Sequence, residues 1–290
     1  MSNTPAGAGV GDLTDPRTLQ AVARRVGLVA RHRLGQNFLV DRQVLDDIIA
    51  ALAPSVGEDV LEVGSGVGTL TGELAVRARR VFAVDIDERC VAATRITQRD
   101  RVNVEVTRGD ALRIDVGGLG LGDGWVAAGN IPYSITTPLL TRLFELPSPP
   151  ARGVFLVQRE VAARLAAGAG DWSLATVAVR SLATVERLRD VSPASFEPPP
   201  AVHSSVIRLR PDSVLSPDDR AAVLDIARRA FQMRRKMLRH GIANAAGGDD
   251  HQAMAWLDAA GIDPGRRPGT LDIGEWQRIA AAARTLAGEP

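Results

Sequence analysis

Asp59-Val60-Leu61-Glu62-Val63-Gly64-Ser65-Gly66-Val67-Gly68-Thr69-Leu70-Thr71 is the segment that decides the fold class of this chain. Its first five residues form a short pattern typical of a buried strand, and the glycines predict a tight loop before a helix that starts near Thr69. Strand, glycine loop and helix form the first unit of a doubly wound α/β sheet. Because Thr69 stands where the dinucleotide fingerprint has its third glycine, the loop alone is only weak evidence of a nucleotide ligand.

The strands predicted after this unit end in polar side chains. The run at 81–84 ends in Asp85, about twenty residues beyond the first glycine, where a carboxylate can bind both ribose hydroxyls of a nucleoside-bearing cofactor. A strand predicted at 102–106 leads to Asp110, which can either reach an adenine amino group or cap the next turn. Since ligands bind at the carboxyl ends of strands in open α/β sheets, we expect these carboxylates to line one site.

A third apolar run, 125–128, leads to Asn130-Ile131-Pro132-Tyr133. The segment offers an amide, a proline-fixed backbone and an aromatic ring within four positions. The amide and nearby carbonyls can accept from the amino group of a flat ring, and Tyr133 can stack on its face. The alternative is an ordinary strand-to-helix turn, in which Asn and Pro are common.

Composition limits the class of protein. With 290 residues, of which 45% are hydrophobic, the chain can bury a full core. Cys90 is the only cysteine, which excludes a disulfide framework and a thiolate metal site, and the four histidines lack ligand spacing, so no metal is expected. No apolar run reaches membrane-spanning length and the start lacks a signal-peptide pattern, so we expect a cytoplasmic protein.

The pattern predicts a flexible tail at 1–20, an α/β domain at 21–210 and a small all-helical domain at 211–290. An Arg-rich helix is expected at 16–33, and Asp41 is the expected N-cap of the next helix. In the helical domain the apolar residues follow only a helical spacing, which predicts helices at 217–231, 233–245, 250–260 and 274–286.

The net charge of +1 does not by itself indicate a nucleic-acid binder. Lys236 is the only lysine, so nearly all positive charge is arginine, a preference for which GC-rich coding bias is a sufficient explanation. The segment 228–239 nevertheless concentrates cations among apolar residues, which favours a phosphate-facing surface over a merely solvated face. Its cations are Arg228, Arg229, Arg234, Arg235, Lys236 and Arg239.

Phe196 precedes Pro198-Pro199-Pro200 in a loop between two β-rich runs. Two interpretations remain open. The prolines can present Phe196 as a stiff, exposed aromatic residue, or they can stiffen a hairpin connection under which Phe196 is tucked.

Taken in order, these segments resemble the rRNA adenine N6-dimethyltransferases of the KsgA (RsmA) family, which also includes the Erm methylases. The resemblance runs from about residue 33 to the C-terminus. Any one of the motifs would be weak evidence, but seven motifs in the same order are strong evidence. The matching segments are Gly35 to Leu39, Leu61 to Thr71, Val84 to Asp87, Gly109 to Ala111, Gly129 to Tyr133, Val157 to Leu165 and Phe196 to Val202, with Phe231 to Arg239 matching the helical tail.

The resemblance implies a Rossmann-like class I methyltransferase domain, S-adenosyl-L-methionine as methyl donor and an adenine N6 as acceptor. Asn37 and Leu39 would line the methionine end of the cofactor, and Tyr133 and Phe196 would sandwich the target base. The implied catalytic residues are Asn130, Pro132, Tyr133 and Phe196, and the implied cofactor-binding residues are Asn37, Leu39, Gly64, Gly66, Asp85, Asp110 and Asn130. The cations of 228–239 would bind RNA.

The leading hypothesis is dimethylation of two adjacent adenines in the 3′-terminal hairpin loop of 16S rRNA, coupled to small-subunit maturation, by a monomer acting on the 30S subunit or its precursor. An Erm-type 23S rRNA methyltransferase, a non-catalytic assembly factor of the same fold and a small-molecule methyltransferase are the alternatives. Ser134, the 169–173 loop and Asp85 depart from the family pattern. The first two departures bear on the RNA target more than on the reaction.

Overall fold

The structure is a computed structural model that describes residues 11–31, 35–212 and 215–287. The chain divides into two compact units. The first comprises Met1–Ala162 and Glu186–Arg210, and the second comprises Ala163–Val185 and Pro211–Pro290. The predicted boundary between the α/β domain and the helical domain lay at residue 210 alone, whereas the structure also assigns Ala163–Val185 to the helical unit.

The strands are β1 (Phe38–Leu39), β2 (Asp59–Val63), β3 (Arg80–Asp85), β4 (Val104–Arg108), β5 (Val126–Asn130), β6 (Arg152–Gln158), β7 (Ala183–Val191), β8 (Phe196–Glu197) and β9 (Ser204–Pro211). The helices are α1 (Pro16–Arg25), α2 (Arg42–Leu52), α3 (Thr69–Ala75), α4 (Glu88–Thr97), α5 (Thr136–Phe144), α6 (Arg159–Ala166), α7 (Leu174–Arg180), α8 (Pro217–Phe231), α9 (Leu238–Ala245), α10 (Asp250–Ala260) and α11 (Ile273–Ala287).

In the described part of the chain, seven strands form one sheet in the order β4-β3-β2-β5-β6-β9-β7, and β1 pairs separately with β8. Strands β2 to β6 pair in parallel, whereas β9 runs antiparallel to β6. The predicted doubly wound sheet is therefore confirmed. The chain winds outward from β2 in one direction and from β5 in the other, so the topological switch point, where such sheets bind ligands, lies between these two strands.

The central strands are buried on both faces, which explains why their sequences are rich in apolar residues. All five residues of β2 are buried. Its last residue pairs with Gly129 of β5, and a Cβ at position 129 would lie 2.3 Å from the Val63 carbonyl oxygen. A side chain at this position would therefore push apart the two strands that border the switch point.

Helix α2 shows how local sequence sets an element against this sheet. Asp41 caps it as expected, since its carboxylate accepts from the backbone N–H groups of Gln43 and Val44 at 3.0 and 3.2 Å. Its apolar positions are all buried in the core of the first unit, as the periodicity predicts. These positions are Val44, Leu45, Ile48, Ile49 and Leu52.

Several predicted boundaries need correction. Helix α1 begins at Pro16, within the predicted tail, and ends at Arg25 instead of 33, where the Gly27 N–H closes a turn on the Arg24 carbonyl. Strand β4 lies two residues later than expected, because Val102 stands in a turn with its side chain exposed. Residues 1–10 of the predicted tail, and Arg33, lie outside the described residues.

The second unit has its own apolar core, formed by α7 to α11 and the segment before α7. Trp172, 3% exposed, belongs to this core, and its backbone N–H donates to the Gly269 carbonyl at 2.9 Å. Burial of this tryptophan and of Val177 accounts for the assignment of Ala163–Val185 to the helical unit.

The helix predicted at 233–245 begins only at Leu238. Residues 232–235 form turns after α8 and Lys236 lies in a bend. Met237 has the extended backbone of an N-terminal flanking residue, with φ −61° and ψ 151°. The Leu238 N–H donates to the Arg266 carbonyl at 2.6 Å, so a contact distant in sequence fixes where α9 starts. Within the described residues, no helix is both long and apolar enough to cross a membrane.

Candidate functional site

A cavity of about 220 Å³ opens at the carboxyl ends of β2, β3, β4 and β5 in the first unit. It brings together seven of the ten residues that the sequence singled out for catalysis or cofactor binding. The predicted residues that line it are Asn37, Gly64, Gly66, Asp85, Asp110, Asn130 and Pro132. Leu39, Tyr133 and Phe196 do not line it, whereas Phe38, Cys90 and Ile135, for which no site role was predicted, do.

Asp85 at the end of β3 is held by two backbone donors. Its Oδ2 accepts from the Gly66 N–H at 3.0 Å and its Oδ1 from the Asp87 N–H at 2.9 Å. Burial raises the pKa of Asp85 and the charge of Asp87 acts in the same direction, while the two N–H bonds oppose the rise. The carboxylate is thus fixed in place and keeps lone pairs for further donors, an arrangement suited to vicinal hydroxyls.

Gly64 forms the tight passage from β2 into the glycine loop. Its φ of +81° lies in the left-handed region, and a Cβ would stand 3.0 Å from the Asn130 carbonyl oxygen. The backbone at the end of β2 is therefore in close contact with the end of β5. The missing side chain leaves the cavity open at this point.

Asp110 follows β4, caps the next turn and lines the cavity. Its Oδ1 accepts from the Leu112 N–H at 2.9 Å, which caps the next turn, and its carboxyl group also lines the cavity. The Oδ2 of Asp110 lies 3.6 Å from Nε of Arg113, whose side chain is 87% exposed, while the side chain of Asp110 is 36% exposed.

The orientation of the Asn130 amide is fixed by a main-chain contact. Its Nδ2 donates to the Asn37 carbonyl oxygen at 2.8 Å. Because a carbonyl oxygen can only accept, the nitrogen must face it, and Oδ1 is directed elsewhere. Within the part of the chain that the structure describes, no donor engages Oδ1. Asn130 therefore presents an acceptor to the cavity.

Tyr133, the only tyrosine in the sequence, begins a short 3₁₀ turn after Pro132. Its hydroxyl lies 3.1 Å from the hydroxyl of Ser204, which is 1% exposed in β9. This hydrogen bond fixes one end of the ring, while the side chain remains partly exposed. No role was predicted for Ser204 from the sequence. Its only signal was a pair of serines interrupting the apolar pattern before Val206.

Phe196 and Leu39 lie beside the cavity instead of lining it. They pair across the short β1–β8 ladder, and both belong to the apolar core of the first unit, with exposures of 3% and 7%. Of the two interpretations left open for Phe196, burial beneath its loop is the one found. The reason is the ladder, which turns the ring toward Val191 and the other core residues.

Glu62 is a buried carboxyl group for which no role was predicted from the sequence. It is 1% exposed in β2, and its Oε2 has no hydrogen-bond partner among the described residues. Burial raises the pKa of Glu62 to about 8, and the nearby charge of Asp85 adds to the rise. An acid within a buried-strand pattern was the signal available in the sequence.

The six cations of 228–239 are exposed and belong to the second unit. Arg229 pairs with Asp225 at 3.3 Å and Arg234 with Asp171 at 3.1 Å. No ion pair within the described residues engages Arg235, Lys236 or Arg239. The described residues contain no cluster of three or more His, Cys, Asp or Glu side chains that could hold a metal ion.

Comparison with known proteins gives a consistent result. The model of the family described as ribosomal RNA adenine dimethylase matches residues 27–284. Ribosomal RNA small subunit methyltransferase A of Anaeromyxobacter sp. (strain K) is 40% identical over 92% of this chain and 97% of its own length. The protein of the same name from Burkholderia sp. is 38% identical over 90% and 94%.

Two solved structures are similar over most of their length. A dimethyladenosine transferase from Plasmodium falciparum superposes with a TM-score of 0.72 at 26% identity, covering 87% of this chain and 98% of its own. The 23S rRNA methyltransferase ErmE superposes with a TM-score of 0.69 at 27% identity, covering 85% and 99%.

Proposed function

Because the chain belongs to the ribosomal RNA adenine dimethylase family, we propose that it dimethylates N6 of two adjacent adenines in the 3′-terminal hairpin loop of 16S rRNA, with S-adenosyl-L-methionine as donor. The orientation of the Asn130 amide by the Asn37 carbonyl carries the proposal, since it presents an acceptor where an adenine amino group must be held. Relatives near 40% identity that are named small-subunit methyltransferases support the choice of RNA.

The residues that line the cavity fit the cofactor. Asp85, fixed by two N–H bonds, would accept from the two ribose hydroxyls, and Asp110 would accept from the adenine amine of the cofactor. Gly64 and Gly66 give the cofactor access to the backbone, and Asn37 would line the methionine end. When bound, S-adenosylmethionine supplies an electrophilic methyl group on a sulfonium.

Asn130 would position the attacking nitrogen of the target adenine. This amine is a poor nucleophile because its lone pair is delocalised into the ring. By accepting N6–H bonds, the Asn130 Oδ1 and the Ile131 carbonyl would hold the amine in an orientation that turns the lone pair out of conjugation, and Pro132 fixes the backbone between them and Tyr133. The site's contribution is thus positioning and stabilisation of the charge that develops on nitrogen.

Tyr133 would stack on the everted base, held there by Ser204. The sandwich expected from the resemblance also requires an exposed Phe196, and this residue is 3% exposed. We therefore assign Phe196 a supporting role. Through the β1–β8 ladder it holds the segment that carries Asn37, whose carbonyl orients Asn130.

The cations of 228–239 would contact the RNA backbone while the base is turned out, a change that costs on the order of a few kcal/mol. Arg235 and Lys236 suit a test because no ion pair within the described residues engages them. Replacing both by Ala should weaken binding to the 30S particle and reduce the slope of log affinity against log salt by roughly two. An unchanged slope would remove these residues from the RNA interface.

We place this activity in the cytoplasm, performed by a monomer on the 30S subunit or its precursor.

An Erm-type activity on 23S rRNA is the second candidate, favoured by the similarity to ErmE. The deciding experiment measures transfer of radiolabelled methyl groups to unmethylated 30S and 50S particles in parallel. We expect the 30S particle to take up the label with wild type and with Gln43→Ala, an exposed amide control in α2, and not with Asn130→Ala. Labelling of the 50S particle alone would favour the second candidate, and equal, negligible labelling by wild type and Asn130→Ala would indicate a non-catalytic assembly factor.

A further inference from the structure

A second cavity in the first unit, also about 220 Å³, has no role in the site described above. It lies where β6 passes into α6, beside the segment that leads into β9. We call it the Gln158 pocket. Its lining residues are Gln158, Arg159, Glu160, Ala201, Val202 and His203.

Backbone contacts place the Gln158 pocket next to Tyr133. Gln158, the last residue of β6, pairs with Ser204, whose hydroxyl lies 3.1 Å from that of Tyr133. The Arg159 N–H donates to the His203 carbonyl at 3.0 Å and joins the two walls of the pocket. The pocket thus begins one residue away from the serine that holds the stacking ring.

The chemistry of the lining suits a nucleotide base. Within the described residues, no hydrogen bond or ion pair engages the side chains of Gln158 and His203, and Arg159 interacts with Asp190 through their charges alone. The polar groups of this lining therefore remain available. Gln can bind the edge of adenine through two hydrogen bonds, and an Arg plane can stack on an unpaired base. Val202, 41% exposed, adds an apolar contact, while the carboxylate of Glu160 disfavours a bare phosphate.

We propose that the Gln158 pocket binds the base next to the adenine being methylated. This inference rests on the proposed function, in which two adjacent adenines are modified. While one adenine lies against Tyr133, the neighbouring base of the RNA strand must lie no more than one nucleotide length away. The Gln158 pocket lies within that distance, because Gln158 pairs with Ser204 and Ser204 contacts Tyr133. The neighbouring base then sets the register of the strand in the site.

The test combines a protein change with an RNA change. Wild type, Gln158→Ala and the exposed amide control Gln43→Ala are assayed on 30S particles whose 16S rRNA carries either both adenines or an abasic residue in place of the neighbour. Loss of the neighbouring base should lower kcat/KM for wild type and the control by roughly tenfold, the value of a bidentate base contact. On the intact particle, kcat/KM of Gln158→Ala should already be roughly tenfold below that of wild type. Loss of the neighbouring base should then lower kcat/KM of this variant by less than a further factor of two.

An equal loss for all three proteins would overturn the pocket assignment while leaving the proposed function in place. Absence of methylation by wild type on the intact particle would overturn both. His203→Ala repeats the measurement from the opposite wall, should Gln158→Ala fail to fold, and the same reduced sensitivity to the abasic residue is expected.

Discussion

Asn130→Asp isolates the orientation of the amide from its size and shape. In the structure, Nδ2 donates to the Asn37 carbonyl at 2.8 Å. In the variant, a carboxylate oxygen replaces this donor and faces the carbonyl oxygen. The change removes the donor and leaves a partly buried acceptor unsatisfied, at a cost of about 1–3 kcal/mol. This cost corresponds to a loss of about 5- to 160-fold in kcat/KM.

The assay is methyl transfer to unmethylated 30S particles between pH 5.5 and 8.5, with urea unfolding to confirm that the variant is folded. A protonated carboxylic acid can donate to the Asn37 carbonyl as the amide does. The activity of Asn130→Asp relative to wild type should therefore rise as the pH falls. If Asn130→Asp retained more than a third of wild-type kcat/KM at neutral pH, or showed the same pH profile as wild type, the reasoning from orientation would be refuted.

Other substitutions test neighbouring parts of the structure. Glu62 has a pKa of about 8 against an ordinary 4.5, so the folded state binds more protons between these values and its stability should fall by about 1.4 kcal/mol per pH unit as the pH rises through this window; Glu62→Gln should abolish that slope in urea titrations, and an unaltered slope would assign it to another group. Gly129→Ala should lower the free energy of unfolding by about 3 kcal/mol, because its Cβ meets the Val63 carbonyl at 2.3 Å, and a midpoint equal to wild type would contradict the close approach. Tyr133→Phe and Ser204→Ala should each lower kcat/KM about fivefold through loss of one hydrogen bond, and the double variant should lose no more than either; full additivity would show that the two hydroxyls act separately. Phe196→Leu should remain active within about threefold if the residue supports β1 from the core, whereas a folded but inactive Phe196→Leu would restore the stacking role.

The sequence predicted those features that depend on local pattern. Asp41 marks a helix start by its capping oxygen, and the burial of β2 follows from the apolar residues Val60, Leu61 and Val63. Asp85 and Asp110 could be placed in one site because parallel strands share an edge, and the cavity confirms their common location. Each of these inferences needs only neighbours in the chain and one topological rule.

Features that depend on distant contacts could not be predicted. The bond from Asn130 to the Asn37 carbonyl joins residues 93 positions apart and involves a main-chain oxygen, which leaves no mark on the sequence. The segment 232–237 carries residues that favour helices, so periodicity continues through it, while the break depends on a bond from Leu238 to Arg266. The burial of Phe196 is decided in the same way, by pairing with a strand of only two residues.

The use of a main-chain oxygen at position 37 has a consequence for how the site tolerates mutation. Every amino acid supplies the same carbonyl, so exchanging the Asn37 side chain leaves the bond to Asn130 chemically intact as long as β1 keeps its pairing with β8. Damage to this contact should instead come from positions that shift the strand. A saturation library should therefore separate two kinds of loss. Substitutions at Asn37 should weaken cofactor binding with little effect on the orientation of the target amine, whereas substitutions at Phe196 should disturb both together.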